Sequence, residues 1–240
     1  ELNSGIVARD LAGAAPLLEV RGLSRDGEYS DVSFTLRAGE VLGLTGLLGA
    51  GRTELALSLF GMTRPDAGTI AVDGRTVTLR SNHDAICAGI AYLSEDRLNL
   101  GLNLRQSIGD NIVLAVLDRL RGALGLLSGA QRRATAARWV DRLNIRIPGL
   151  DHPVHTLSGG NQQRVAIAKW LATSPKILIL DSPTVGVDIR NKQGIYEIVR
   201  GLAAEGVGIL LISDEIEEVF ATCDRVLHMR GGRIAGEAIP

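Results

Sequence analysis

Residues able to do phosphate chemistry come early in the chain, in Gly46-Leu47-Leu48-Gly49-Ala50-Gly51-Arg52-Thr53-Glu54. The apolar run Val41-Leu42-Gly43-Leu44-Thr45 precedes them, and Leu55-Ala56-Leu57-Ser58-Leu59-Phe60 follows. A short strand, a glycine-rich turn and a helix in that order fit the phosphate-loop template G-x-x-x-x-G-K-[ST]. Glycines at 46, 49 and 51 let backbone N–H groups turn toward phosphate oxygens, and the helix behind adds the positive end of its dipole. Thr53 offers a hydroxyl to Mg²⁺. Arg52 stands where the template has lysine, so charge is kept while a compact ammonium becomes a wide, planar guanidinium. Taken alone, such a stretch would serve equally as a tight connection between strand and helix.

A carboxylate suited to the same chemistry closes the run Lys176-Ile177-Leu178-Ile179-Leu180-Asp181. In phosphate-loop proteins an aspartate in this place belongs to the Mg²⁺ shell. An apolar strand ending in aspartate is common by itself; paired with the upstream loop it is informative. Between the two lies Leu157-Ser158-Gly159-Gly160-Asn161-Gln162-Gln163, which opens a helix with Val165, Ala168, Leu171 and Ala172 on one face.

The elements that must position these groups can be read from periodicity. Leu17–Val20 and Asp31–Leu36 read as short strands, with Arg21 to Ser30 between them as a polar turn cluster. Thr69–Val72, Asp73-Gly74 and Thr76–Leu79 form a hairpin with an Asp-Gly turn. Ile90–Leu93 is the next strand, ending in Ser94-Glu95-Asp96-Arg97. From about Leu98 to His155 helical patterning dominates: Ser128 with Gln131 resembles a capping box, and Ala134, Ala137, Val140 and Leu143 recur at three-residue spacing. Helix, buried strand and closing hairpin follow at Ile195–Leu202, Val207–Ile212 and Arg225–Ala235. The expected fold is α/β, a phosphate-loop core with a mixed, largely parallel sheet, an N-terminal antiparallel β subdomain and an inserted helical subdomain.

Composition sets limits on the function. The chain has 240 residues, long enough for one α/β domain or two small ones, with 45% hydrophobic and 22% charged residues and a formal net charge of -1, which favours a globular protein over a polyanion binder. Aromatics at 3% and 29 glycines suit an aliphatic parallel sheet with tight turns. No apolar run reaches the ~18–20 residues of a membrane span. Cys87 and Cys223 have no zinc or disulfide spacing, and the four histidines read as ordinary surface or core residues. Arg132, Arg133, Arg138 and Arg142 interleave with alanine and lack stacking aromatics, so a solvated face is expected there rather than a nucleic-acid patch. The opening from Glu1 reads as a linker, with residues 1–15 joining a preceding domain and 16–240 forming the domain proper, its helical subdomain at about 98–172.

Motif order and spacing, with LSGGNQQ before a helix and LILDSPT followed by VGVD, resemble the ATP-binding cassette family. GAGRTE at Gly49–Glu54, SEDR at Ser94–Arg97 with Gly101-Leu102, and LSGGNQQ at Leu157–Gln163 resemble the C-terminal cassette of two-cassette bacterial sugar-import ATPases. The resemblance implies ATP and Mg²⁺ as cofactors, with Gly46 to Glu54 as the nucleotide loop and Thr53 and Asp181 as metal ligands. It further implies Leu157, Ser158, Gly159, Gly160, Asn161 and Gln162 as a signature acting on the nucleotide of a facing cassette, and Asp188 in the loop that crosses between cassettes. The implied partners are that second cassette, from the same longer chain or another copy, a transmembrane permease touching Glu95 to Asn111, and indirectly an external sugar-binding protein. The implied place is the cytoplasmic face of the membrane, with no nucleic acid involved.

Several positions depart from the family pattern. Ser182 replaces the glutamate after the Mg²⁺ aspartate, Asp214 replaces a γ-phosphate-sensing histidine, and Glu95 stands where many cassettes have glutamine. Serine cannot take a proton from water as a carboxylate does, and loss of a general base costs ~10²–10⁴ in rate. Together with Arg52 these changes imply a weak or inactive hydrolytic site that still binds nucleotide. Tyr29 is the nearest candidate for the ring that stacks on adenine. Other possibilities are a non-transport cassette acting on ribosomes or DNA, and a nucleotide sensor without turnover.

Overall fold

The computed structural model describes residues 13–121 and 126–240. The expected linker lies, up to residue 12, outside the described residues. The chain divides into two compact units, one of Glu1–Tyr92, Lys176–Ser182 and Val199–Pro240, the other of Leu93–Pro175 and Pro183–Ile198.

The first unit carries two sheets. Strands β1 (Pro16–Arg25), β2 (Tyr29–Arg37), β4 (Ala67–Val72) and β5 (Arg75–Val77) form an antiparallel sheet in the order β2-β1-β4-β5. Strands β3 (Val41–Gly46), β6 (Ile90–Leu93), β7 (Ile177–Asp181), β8 (Gly208–Ile212), β9 (Arg225–Arg230) and β10 (Arg233–Ala238) form the second, in the order β10-β9-β3-β8-β7-β6. Within it β3 runs parallel to both β8 and β9, Leu42 pairing with Leu210 on one side and Arg225 on the other. At its edge β10 joins β9 antiparallel, as the expected closing hairpin. Every residue of β7 and β8 is buried, as expected of parallel strands covered on both faces. The Asp-Gly hairpin also forms, with Asp73 and Gly74 both at positive φ, 50° and 71°, and a short helix α2 (Asn82–Cys87) follows it.

The polar cluster after Val20 is not a loop. Strand β1 continues to Arg25 and β2 begins at Tyr29, with Arg25 opposite Tyr29 and irregular register along the pair, so only Asp26 to Glu28 turn. Two ladder partners satisfy the β1 backbone, since β4 pairs with its other edge, and pairing overrides the polar composition.

The two sheets of this unit are joined by charge. Glu40, just before β3, is 1% exposed; its carboxylate accepts from Arg225 Nε at 2.8 Å and from the Arg37 amide at 2.7 Å. Arg225 in turn donates to the Thr35 carbonyl at 2.6 Å, so one guanidinium links β2 and β9.

The second unit is helical. A π-helical turn at Arg97–Gly101 leads to α3 (Ile108–Val113), a 3₁₀ segment at Leu114–Leu120, α4 (Gly129–Arg142) and α5 (Gly159–Leu171). Ser107 and Ser128 cap α3 and α4 through the amides of Asp110 and Gln131, at 3.0 and 3.3 Å. The three-residue apolar spacing expected in α4 is not its buried face: Ala134 is exposed, and Ala136, Trp139, Val140 and Leu143 pack inward. The helix turns 3.6 residues, so an i, i+3, i+4, i+7 set stays in line while strict threes drift. Arg132 and Arg133 pair with Asp110 and Asp151, and Arg138 and Arg142 lie over the Trp139 ring at 5.4 and 5.0 Å. These four arginines are engaged locally with acidic and aromatic neighbours.

Helix α5 also anchors the π turn. Lys169 is buried in it and donates to the Gly101 carbonyl at 2.5 Å. Burial holds this ammonium down to about 8 from an ordinary 10.5.

Two expectations follow from these buried charges. Glu40→Ala leaves Arg225 half-partnered and the Arg37 amide unsatisfied, and should cost ~3 kcal/mol in denaturant unfolding. For Lys169, the unfolded chain holds its proton up to 10.5 while the folded chain releases it near 8. The unfolded state then binds more protons across that window, so unfolding free energy should rise with pH there and stay lowest below it. In Lys169→Met the rise should vanish, as urea midpoints measured at several pH values would show.

Candidate functional site

The phosphate loop is seated by backbone on three sides. Gly46 ends β3 beside β9, and a Cβ there would stand 2.3 Å from the Met229 carbonyl oxygen. Gly51 caps α1 (Arg52–Leu59) at φ 92° with the Glu28 carbonyl where its Cβ would be, 2.6 Å away. No L side chain combines that φ with that contact. The turn after β9 closes the ring: the Gly232 amide donates to Ala50 O at 3.2 Å and the Ser30 amide to Gly232 O at 2.8 Å. Leu47 and Leu48 at the tip are exposed, Thr53 is half-buried, and Glu54 lies in the first turn of α1. No side chain caps α1, so its first amides are left to an outside acceptor or to water.

The Arg52 guanidinium is held by the turn after β8. Its residue is 7% exposed; Nη1 donates to the Ser213 carbonyl at 3.1 Å and Nη2 pairs with Asp214. The two departures read separately from the sequence are thus one ion pair, and the negative charge of Asp214 is offset where it arises. Ser213 itself is buried, its hydroxyl donating to Glu218 and accepting from the Glu215 amide. Sequence reading missed Ser213; two departures of opposite charge from one template were the signal.

Asp181 is 1% exposed at the end of β7, and its Oδ2 accepts from the Tyr92 hydroxyl at 3.1 Å. Ser182 follows at φ 48°, in the left-handed region, its amide donating to Ile212 O at 2.9 Å. A serine held there directly before Pro183 is a strained backbone position of the kind that clusters at functional sites. Asp181 and Thr53 offer hard oxygen ligands of the type Mg²⁺ takes. Among the described residues no three His, Cys, Asp or Glu side chains gather as a metal site.

A cleft of about 590 Å³ opens at the loop, lined by Gly49, Gly231, Gly232 and the β1–β2 turn with Arg25, Asp26 and Glu28. This is within the range of ligand pockets. Tyr29, the expected stacking ring, is 3% exposed and donates its hydroxyl to Ser58 Oγ at 2.6 Å. It belongs to the core under α1 although strict alternation along β2 would place it on the face of the exposed Asp31 and Ser33; the irregular register at this end of the strand pair, with Asp31 at φ 54°, turns it inward, and burial pushes its hydroxyl pKa up.

The second unit gathers the remaining residues. Leu157 is buried and Ser158 exposed before α5; Ser158 Oγ accepts from Asn161 Nδ2 at 3.1 Å, Asn161 Oδ1 accepts from the Arg146 amide at 3.1 Å, and Gln162 donates to Leu157 O at 3.0 Å. Gly159 and Gly160 are tight for a local reason: added Cβ atoms would stand 3.0 Å from Gly186 O and 2.5 Å from the Asn191 side chain. Asp188 caps α6 (Ile189–Ala204) through Asn191, accepting from its amide at 3.1 Å and from its side chain at 2.6 Å. Glu95 is exposed, two residues before the π turn.

A family model described as ABC transporter matches residues 29–185. The chain belongs to the ABC transporter family. The cassette is 48% identical over 227 residues to the ribose import ATP-binding protein RbsA 2 of Rhizobium johnstonii, covering 95% of this chain and 44% of that protein. It is 49% identical over 218 residues to a putative ribose/galactose/methyl galactoside import ATP-binding protein of Burkholderia cenocepacia, covering 91% and 42%. The chain therefore spans less than half the length of these relatives. A solved nucleotide-free ATP-binding cassette from an ABC transporter superposes with a TM-score of 0.81 at 21% identity over 94% of this chain and 92% of that one, which shows the shared fold.

The pairing of Arg52 gives a direct expectation. Asp214 is 61% exposed, so solvent screens the pair and Asp214→Ala should cost the cassette only ~1 kcal/mol. Its melting temperature should fall by ~2–4 °C in a thermal scan, and Asp214→Asn, which keeps an acceptor for the guanidinium, should fall less.

Proposed function

We propose that the cassette is the second ATP-binding half of a bacterial sugar importer, holding Mg-ATP at Gly46 to Thr53 with Thr53 and Asp181 as ligands of the ion. The observation that carries the reading is the commitment of Arg52 to Ser213 and Asp214 beside an open loop. The loop amides and the α1 dipole remain to bind a triphosphate, while the cation that would follow charge onto the leaving group is tethered elsewhere. With Ser182 in place of a carboxylate, hydrolysis at this site is weak. Asp214 and Glu95 do not replace the missing base.

Support for the transport reading comes from the relatives named for ribose and galactose import. In this reading the cassette sits at the cytoplasmic face beneath a transmembrane permease, which contacts Glu95 to Asn111 and receives sugar from an external binding protein. Leu157 to Gln162 completes the nucleotide site of a facing cassette, either the other half of the same protein or a second copy, with Asp188 on the loop between them. A net charge of -1 and the local pairing of the α4 arginines favour no nucleic-acid role.

Mg²⁺ supplies charge neutralisation between the phosphates when bound. The chain's own groups do the rest: loop amides orient the triphosphate, Tyr92 fixes the Asp181 carboxylate, and Ser182 leaves the attacking water without a proton acceptor.

Calorimetric titration of Mg-ATP into the cassette, with phosphate release followed in the same sample, tests this. Tight binding without release is expected; rapid release by the cassette alone would remove the weak-site reading, and no binding would remove the nucleotide reading. Ser182→Glu should raise release by ~10²-fold. Adding Asp214→His should raise it less, because it also strips Arg52 of its carboxylate.

A further inference from the structure

The motif Ser94 to Arg97 contributes a side chain whose contacts no nucleotide role accounts for. Arg97 begins the π turn, and its guanidinium reaches three acceptors on two other segments: Gln163 Oε1 at 3.3 Å, Val185 O at 3.2 Å and Gly186 O at 3.4 Å. Gln163 is 2% exposed on α5, directly after the signature. Val185 and Gly186 lead into Asp188, in a turn where the Val187 amide donates to Thr184 O at 3.1 Å.

The fit is close on every side. The Cβ missing at Gly159 would lie 3.3 Å from Arg97 Nη2 and 3.0 Å from Gly186 O, so the glycine is what lets guanidinium, carbonyl and helix start meet. The segment is pinned again by Asn191, which fills the space over Gly160 and holds Asp188. Below, Lys169 holds the far end of the π turn through Gly101 O. Single π turns inside proteins mark functional positions often enough to invite the question of what this one does.

We infer that Arg97 is a positioning residue that clamps the loop Val185 to Asp188 onto the start of the signature helix, so that the π turn, the signature and that loop move as one body. A planar fork suits the task, since its N–H groups diverge toward one amide oxygen and two carbonyls at once, whereas a lysine ammonium is a single mobile point. The Nε of Arg97 is buried without a partner, and burial lowers the pKa of the guanidinium; both costs are met only because the other nitrogens are bonded. A shift of the Glu95 to Asn111 segment would then be felt at Ser158 to Gly160 and at Asp188 together.

The test uses the whole protein, without nucleotide, and reads amide hydrogen exchange over residues 184–191. In Arg97→Ala and in Gln163→Ala the Val187 and Asn191 amides should exchange ~10-fold faster while those of α4 stay unchanged. Arg97→Lys should restore little, and carries the test with Gln163→Ala if the alanine variant does not fold. Where the protein turns over ATP, kcat should fall ~10-fold with KM for ATP within twofold, as expected when geometry rather than binding is lost. Exchange over 184–191 within twofold of the parent, full rescue by lysine, or a KM that rises as kcat falls would each overturn the clamp. A parent protein with no ATP turnover would end the transport reading, and the exchange data alone would then decide on Arg97.

Discussion

The phosphate loop depends on where β3 sits. As a central strand it is fixed on both edges by parallel partners, β8 and β9, so its end at Gly46 has no freedom to drift. Its faces are fixed as well: at Gly43 a Cβ would meet Val219 at 2.4 Å and Cys223 at 3.0 Å, which allows α7 (Ile216–Thr222) to lie directly against the strand. Cys223 serves that packing, and burial raises its thiol pKa far from reactive values. From this fixed point the chain must turn at once, and the carbonyls of Met229 and Glu28 leave room only for glycine on either side of the turn.

The same constraint explains the fate of Arg52. The first residue of α1 projects from a helix whose start is already locked, and a long guanidinium finds its acceptors at the end of the neighbouring strand β8, on Ser213 and Asp214. A family template read position by position counts Arg52 and Asp214 as two defects. Three dimensions make them one pair, in which each charge offsets the other and the guanidinium is held at the end of β8.

The second unit solves a different problem with similar means. Short side chains at Gly159 and Gly160 admit a loop and a side chain to the helix start, and the polar groups brought there are bonded to one another: Arg97 to Gln163 and the loop carbonyls, Asn191 to Asp188, Asn161 to Ser158. Glycines in a signature are therefore required by packing within the chain itself, whatever else they meet.

By itself the sequence determined the α/β class, the antiparallel sheet with its Asp73-Gly74 hairpin, the inserted helices and the ABC transporter family, because apolar periodicity, turn residues and motif order are local properties of the chain. It misjudged the stretch after Val20, where ladder partners on both edges outweighed polar composition, and the face of α4, where a three-residue count drifted off the helical period. What only the tertiary structure decided are the contacts between distant residues: Arg52 with Ser213 and Asp214, Tyr29 turned into the core, Arg97 across to Gln163 and Gly186. Those depend on which strand lies beside which and on distances of a few ångströms between side chains far apart in sequence, and no local pattern encodes them.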